Sequence, residues 1–166
     1  MKPGGFTLLE LLITLSVLSV TLLVAVPQLQ DSLVQAEVDT KSRLLLTSIS
    51  QARHEAIKRN TFVVMRATGG WERGWVIFID SNQNAQQDAG EPLIFSYSDE
   101  SKLQIQGNST LSSYIGYTGS GRTRQASGAF LAGSILVCSP NRTRKIVVNA
   151  GGRARMDELA ENGCTD

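Results

Sequence analysis

An unbroken apolar run near the N-terminus restricts what this chain can fold into more than any other feature. It extends from Phe6 to Val26, its one charged residue is Glu10, and Pro27 closes it. A helix of this length reaches across a hydrocarbon core of about 30 Å. A cleaved secretory signal would carry an Ala-x-Ala site after the run, and the residues before Pro27 do not supply one. The sequence therefore predicts a membrane-spanning helix rather than a signal peptide.

The charges around this run predict its orientation and a role for its acid. Lys2 is the only basic residue before the span, so we expect a short cytoplasmic leader and an exported remainder. A carboxylate within a span costs on the order of a few kcal/mol unless a cation partners it. We expect Glu10 to pair with an α-amino group created by cleavage between Gly5 and Phe6, on its own chain or on a neighbour. The alternative is a tolerated polar residue at the membrane edge.

The junction around this predicted cleavage reads Gly4-Gly5-Phe6-Thr7-Leu8-Leu9-Glu10. It resembles the type III leader junction of type IV pilins and type II secretion pseudopilins, whose helices kink where Pro27 falls here. The resemblance implies that a prepilin peptidase cuts after Gly5, that the amine of Phe6 is methylated, and that Glu10 aids docking into the filament. It also implies a bacterial inner-membrane subunit with a periplasmic head. That subunit later joins a pilus or pseudopilus beside other major and minor pilins or pseudopilins.

The rest of the chain reads as a helix followed by short strands. A helical pattern resumes after Pro27 through about Arg59, with one apolar stripe suited to pack on a sheet: Leu45, Ile49, Ala52 and Ala56. From Thr61 onward, β-branched and aromatic residues between Gly, Asn and Ser turns predict strands. These are Thr61–Arg66, Trp75–Ile79, Leu93–Tyr97, Leu103–Gln106, Tyr114–Thr118, Ile135–Ser139 and Lys145–Asn149, with an edge strand over Arg153–Met156 after the Gly151-Gly152 turn.

These elements predict an α+β, pilin-like fold, in which a long N-terminal helix packs on an antiparallel β-rich head. The helix is membrane-inserted in its first half and amphipathic in its second. The segments are a leader (1–5), a transmembrane and filament-core helix (6–26), an amphipathic helix (27–60) and the head (61–166). The stretch from Gly74 to Glu91 resembles the FimT/GspH group of minor pilins and pseudopilins. That group divides between type IV minor pilins, some of which serve in DNA uptake, and pseudopilins at type II secretion filament tips.

Within that stretch, oxygen-bearing side chains follow the spacing of a calcium loop: Asp80, Asn82, Asn84, Asp88 and Glu91. The sixth position is Ala85 rather than glycine, and Pro92 opens a strand where a helix would follow. We favour a polar hairpin loop with local Asn and Asp turns, and a calcium site is the alternative. No other cofactor is expected.

The region from Ser101 to Met156 contains eight of the chain's sixteen basic residues and no acidic residue. It holds Lys145 and three Arg-x-Arg pairs: Arg122/Arg124, Arg142/Arg144 and Arg153/Arg155. Residues two apart in a strand project from one face, so each pair can present two guanidiniums together. Arginine clusters neutralise a nucleic-acid backbone without reading bases. Few aromatics lie among them, so the expected ligand is double-stranded DNA rather than stacked single strands.

The segment Gly152-Arg153-Ala154-Arg155 resembles the C-terminal Gly-Arg-x-Arg motif of FimT-type minor pilins, which is implicated in DNA capture during natural transformation. The resemblance implies that Gly152, Arg153 and Arg155 belong to a DNA-binding site. The alternatives are that these arginines form salt bridges with neighbouring subunits or with the acids that follow them, or that they are merely solvated. A pseudopilin that contacts other pseudopilins is the competing function.

Two further residue types bear on function. Cys138 and Cys164 fit neither a zinc pattern nor Cys-x-x-Cys, and in an exported head they predict one disulfide that ties the C-terminal tail to the core. Two unrelated thiols are the alternative. His54, the only histidine, is expected to be a solvated helix residue beside Glu55. Without a nucleophile and base pair or a phosphate loop in the sequence, we expect no enzymatic activity.

Overall fold

A computed structural model describes residues 7–98, 103–159 and 164, and it begins with one long helix. Helix α1, Leu8–Arg59, has 52 residues and is therefore roughly 78 Å long. The Thr7 hydroxyl accepts the backbone N–H of Glu10 at 3.2 Å and caps its start. Asn60 ends it in the left-handed conformation, with φ 49°. Pro27 lies inside the helix, where it removes one main-chain donor without ending it.

The two halves of α1 differ in burial. The first half is apolar and long enough to cross a membrane, and its side chains are exposed in the isolated chain. The second half packs on the head through fully buried side chains, namely Val38, Leu45, Ile49, Ala52 and Ala56. The predicted apolar stripe is therefore confirmed, and it also includes Val38, seven positions before Leu45.

Two four-stranded antiparallel sheets form the described part of the head. The first has the order β3-β2-β1-β5 and the second the order β4-β6-β7-β8. The strands are β1 (Val63–Ala67), β2 (Gly74–Ile79), β3 (Leu93–Ser98), β4 (Gln104–Gly107), β5 (Tyr114–Tyr117), β6 (Gly133–Ser139), β7 (Arg142–Val148) and β8 (Ala154–Leu159).

Each predicted strand overlaps an observed one, and β8 is an edge strand as expected. Two boundaries were wrong by three residues, because β7 begins at Arg142 and not at Lys145 and β8 ends at Leu159 and not at Met156. At the start of β7, Arg142 and Arg144 face carboxylates of the chain itself. That pairing allows the ladder with β6 to continue to Ser139.

The core lies where α1 meets both sheets. The helix contacts β1 and β5 of the first sheet and β6, β7 and β8 of the second. Its buried stripe joins one apolar cluster with Trp71, Trp75, Ile115 and Ile146. The second half of α1 is therefore the shared wall against which both sheets fold.

The predicted disulfide is confirmed. Cys138 in β6 and Cys164 are bonded across 26 residues of sequence, and both are buried. The bond fixes the C-terminal tail to the second sheet.

Reduction of this disulfide should lower the free energy of unfolding by about 3 kcal/mol, because opening the loop restores conformational entropy to the unfolded chain. Urea unfolding of the full chain in detergent micelles, followed by the fluorescence of Trp71 and Trp75, measures the change with and without reductant. A Cys138→Ser/Cys164→Ser variant is the control and should not respond to reductant. Equal midpoints for oxidised and reduced protein would contradict the prediction.

Candidate nucleic-acid interface

Strand alternation in the second sheet separates the basic side chains onto two faces. Arg142 and Arg144 of β7 lie on the face of the buried Ile146, which packs on α1. Arg155 of β8 pairs opposite Val147, and both lie on the outer face of the sheet. The three Arg-x-Arg pairs therefore do not form one continuous surface.

The inner pair belongs to an ion-pair network with one acid of the helix and one of β8. Arg144 Nε lies 2.7 Å from Asp39 Oδ1, and Arg144 Nη1 lies 3.0 Å from Glu158 Oε2. Arg142 contacts the same two acids at 3.2 and 3.1 Å. The side chain of Arg144 is only 13% exposed, so its charge is neutralised largely out of solvent. We therefore assign Arg142 and Arg144 to stabilising the head rather than to a DNA surface.

The network also sets the titration of Asp39. The hydrogen bond from Arg144 lowers the pKa of Asp39 against the opposing effect of burial, and the charges of Arg144, Arg142 and Arg43 lower it further. Because the folded-state pKa lies below the unfolded-state value, the stabilisation is fully present at neutral pH. It is lost as the pH falls through the lowered pKa of Asp39.

Asp39→Asn should lower the free energy of unfolding by about 1–2 kcal/mol at pH 7, because Arg144 loses a charge-assisted partner. Urea titrations at pH 7 and pH 3 should show the difference from the unsubstituted chain shrinking at the lower pH. Asp31→Asn is the matched control, since Asp31 accepts one exposed bond from Asn141 at 3.2 Å. An Asp39→Asn penalty that is equal at both pH values would contradict the role of its charge.

The outer face of β7 and β8 carries the remaining basic side chains of the second sheet. Lys145 pairs in register with Asp157, beside Arg155. The Arg155 side chain is 72% exposed, and its Nε lies 3.2 Å from Asp157 Oδ2. Arg153 precedes β8 and is exposed, and its guanidinium has no hydrogen-bond or ion-pair partner among the described residues. This face is accessible to a large ligand, and Asp157 partly neutralises it.

In the third pair, Arg124 packs against the protein and Arg122 is exposed. The Arg124 guanidinium lies 5.1 Å from the centre of the Phe62 ring and donates to Gln83. Arg122 is exposed, 5.8 Å from the ring of Phe130. Only Arg122 of this pair is therefore accessible in the manner the sequence predicted for both.

Two glycine turns bring Arg122 and Arg153 together. Gly152 has φ 82°, and a Cβ built on it would lie 1.9 Å from the Gly121 carbonyl oxygen. The same oxygen accepts the Nε–H of Arg53 at 2.9 Å, which anchors both turns to α1. The glycine of the Gly-Arg-x-Arg segment is therefore needed for close backbone approach, and it places Arg153 beside the turn that carries Arg122.

Gly152→Ala should lower the free energy of unfolding by about 2–4 kcal/mol, since the methyl group overlaps a backbone carbonyl at a left-handed φ. Gly151→Ala is the matched control. Its Cβ would approach the Asn149 side chain no closer than 3.3 Å, so the cost should stay under about 1 kcal/mol. Thermal and urea unfolding of both variants measure the difference, and equal losses would contradict the close approach.

Comparison with known proteins places this arrangement in a family. Residues 41–152 match the family described as Type II transport protein GspH, and residues 1–26 match the prokaryotic N-terminal methylation motif. The pilin-like protein PilA1 of Thermus thermophilus is 30% identical over 160 residues, which cover 95% of this chain and 100% of that protein. The chain belongs to the type IV pilin superfamily, as a minor pilin or pseudopilin.

Solved structures agree with the fold of this minor pilin or pseudopilin. The type IV minor pilin FimU of Pseudomonas aeruginosa matches with a TM-score of 0.59 at 14% identity, covering 76% of this chain and 96% of that one. A second crystal form of FimU gives the same TM-score, with 74% and 98% coverage. The predicted pilin-like architecture is confirmed.

The N-terminal half of this minor pilin or pseudopilin is consistent with anchoring in the inner membrane before assembly into a filament. Association with other pilins or pseudopilins follows from its family. Gly5 and Phe6 lie outside the described residues, so cleavage and methylation stay predictions. Glu10 lies exposed in the first turn of α1 in the isolated chain, and its partner amine also stays a prediction.

The Asp80–Glu91 loop uses its oxygens for local bonds. Asp80 is buried and accepts the backbone N–H of Ala85 at 2.7 Å, and Glu91 accepts those of Ser81 and Asp88. The side-chain amides of Asn82 and Asn84 donate to Asp88 and lower its pKa. These bonds support the polar hairpin loop favoured from the sequence. Within residues 7–98, 103–159 and 164, no group of His, Cys, Asp and Glu side chains has the arrangement of a metal site.

Proposed function

We propose that this protein is a minor pilin of a type IV pilus that binds the phosphate backbone of double-stranded DNA and contributes to DNA uptake in natural transformation. The proposal rests on the basic side chains that are accessible on the outer face of β7 and β8 and in the adjoining turns. Arg122, Lys145, Arg153 and Arg155 are all accessible there, and Asp157 is the one acid on the outer face of those two strands.

The geometry suits backbone binding without base recognition. Guanidinium forks engage phosphate oxygens in pairs, and each neutralised phosphate releases counterions. The described outer face of β7 and β8 carries no aromatic residue, and its side chains are those of Thr143, Lys145, Val147, Arg155, Asp157 and Leu159. The expected binding is weak, strongly dependent on salt and indifferent to base sequence.

The relatives divide between a type IV pilus and a type II secretion filament, and two of the names support the pilus. PilA1 is named a pilin-like protein and FimU a type IV minor pilin, which supports membership of a pilus. The match of residues 41–152 to Type II transport protein GspH supports the second candidate, a pseudopilin at the tip of a type II secretion filament that contacts other pseudopilins. The two candidates differ in what the exposed arginines bind.

Arg153→Gln with Arg155→Gln should lower DNA affinity about 10- to 100-fold at low salt, because two phosphate contacts are lost. The slope of log K against log salt should fall by about 1.8, at about 0.9 per phosphate. Fluorescence anisotropy of a 30-base-pair duplex with the full chain in micelles measures both quantities. Asp157→Asn should act in the opposite direction and tighten binding, since it removes the acid that holds Arg155.

The matched control is Arg43→Gln with Arg73→Gln, which removes the same charge from two exposed residues that belong to neither β7 nor β8. It should leave the salt slope close to that of the unsubstituted chain. A chain that does not bind DNA at 50 mM salt would contradict DNA uptake and favour the pseudopilin. Equal slopes for the test and control variants would contradict the assignment to Arg153 and Arg155.

A further inference from the structure

A cleft of about 270 Å³ lies between the second half of α1 and the turn that enters β8. Its helix wall presents Ser50, Arg53 and His54, and its other wall presents Gly152 and Arg153. The sequence placed His54 on a solvated helix surface, and it is exposed. The fold places the His54 imidazole at a cleft that is also lined by the two arginines Arg53 and Arg153.

The Arg53 guanidinium makes one hydrogen bond and no ion pair among the described residues. Its Nε–H binds the Gly121 carbonyl at 2.9 Å, while no described carboxylate lies within ion-pair distance of its guanidinium. The nearest acid along the helix, Glu55, is bonded to Arg59 at 2.6 Å and lies near Lys58 at 3.9 Å. Arg53 is half-buried, so its charge has lost part of its hydration without gaining an anion.

The charge of Arg53 is also felt inside the core. Burial raises the pKa of Tyr117, and the nearby Arg53 charge opposes that rise. The Tyr117 hydroxyl is buried without a hydrogen-bond partner among the described residues, and as a neutral phenol it does not balance the charge of Arg53. The cleft therefore holds a concentration of positive charge, and its Arg53 guanidinium is already partly desolvated before any anion binds.

We propose that this cleft is a phosphate seat, in which Arg53, His54 and Arg153 together hold one phosphate of a bound DNA backbone. The inference rests on the proposed function and deepens it, because the DNA footprint then continues from β8 onto α1. An anion in the cleft receives donors from both guanidiniums and from the imidazole. Gly152 is essential to the seat, since a side chain there would reach the Arg53 Nε as well as Gly121.

The single histidine of the chain makes the seat directly observable. Ring-labelled histidine in the full chain in micelles gives one imidazole signal by NMR, which a 12-base-pair duplex should shift in a saturable manner. The midpoint should agree with the affinity from anisotropy. Arg53→Gln, which retains a donor toward Gly121 but not the charge, should weaken binding and lower the salt slope by less than about 0.9, because Arg153 still contacts the same phosphate.

Arg43→Gln is the matched control, since it removes one exposed charge from the same helix about 15 Å away. It should leave the imidazole shift and the salt slope unchanged. If Arg53→Gln fails to fold, as judged by thermal unfolding, His54→Gln replaces it, because the His54 side chain makes no bond among the described residues. That variant should weaken DNA binding about threefold at low salt.

The outcomes separate this inference from the proposed function. An imidazole signal that does not move at saturating duplex, while Arg153 and Arg155 still control binding, overturns the seat and leaves DNA binding intact. Absence of DNA binding by the unsubstituted chain overturns both. Inorganic phosphate that shifts the signal at millimolar concentration, with no response to the duplex, identifies a free-anion site and also overturns the seat as proposed.

Discussion

Burial of one stripe of α1 is the interaction on which the rest of the structure depends. Leu45, Ile49, Ala52 and Ala56 are fully enclosed by strands of both sheets. Each sheet has only four described strands and gains much of its apolar cover from this helix. The apolar N-terminal part of the same helix is exposed in the isolated chain. One continuous element therefore supplies a surface for lipid or neighbouring helices at one end and the centre of the head at the other.

Strand alternation then decides which basic residues remain available. Arg142 and Arg144 face the helix, and such charges are tolerated there only because Asp39 and Glu158 meet them. Arg155 lies one strand away and in the opposite orientation, and Arg153 lies in the turn before it; both side chains are exposed. Sequence proximity thus gives a misleading picture of shared function, since the two pairs have similar spacing and opposite environments.

Close backbone contact links the exposed arginines to the helix. The turn at Gly152 rests on Gly121, and Arg53 bonds the carbonyl between them. This contact brings residues from two distant segments of the chain, in α1 and in the turn before β8, to one cleft. In the proposed phosphate seat, the four-residue segment Gly152–Arg155 is completed by side chains about a hundred positions earlier, whose involvement no local pattern indicates.

The sequence by itself determined the elements and the family. Apolar length predicted the membrane-competent helix, helical spacing predicted the stripe of Leu45 and Ile49, and β-branched runs predicted the strands, because each is a local pattern with a local physical cause. The disulfide was predictable because the chain has two cysteines and therefore one possible intramolecular pairing. Only the tertiary structure decided that Asp39 neutralises Arg144 and that Arg53 lines one cleft with Arg153. Those partners are set by strand register and by the helix position over the sheets, which are properties of the whole packed head and not of any short segment.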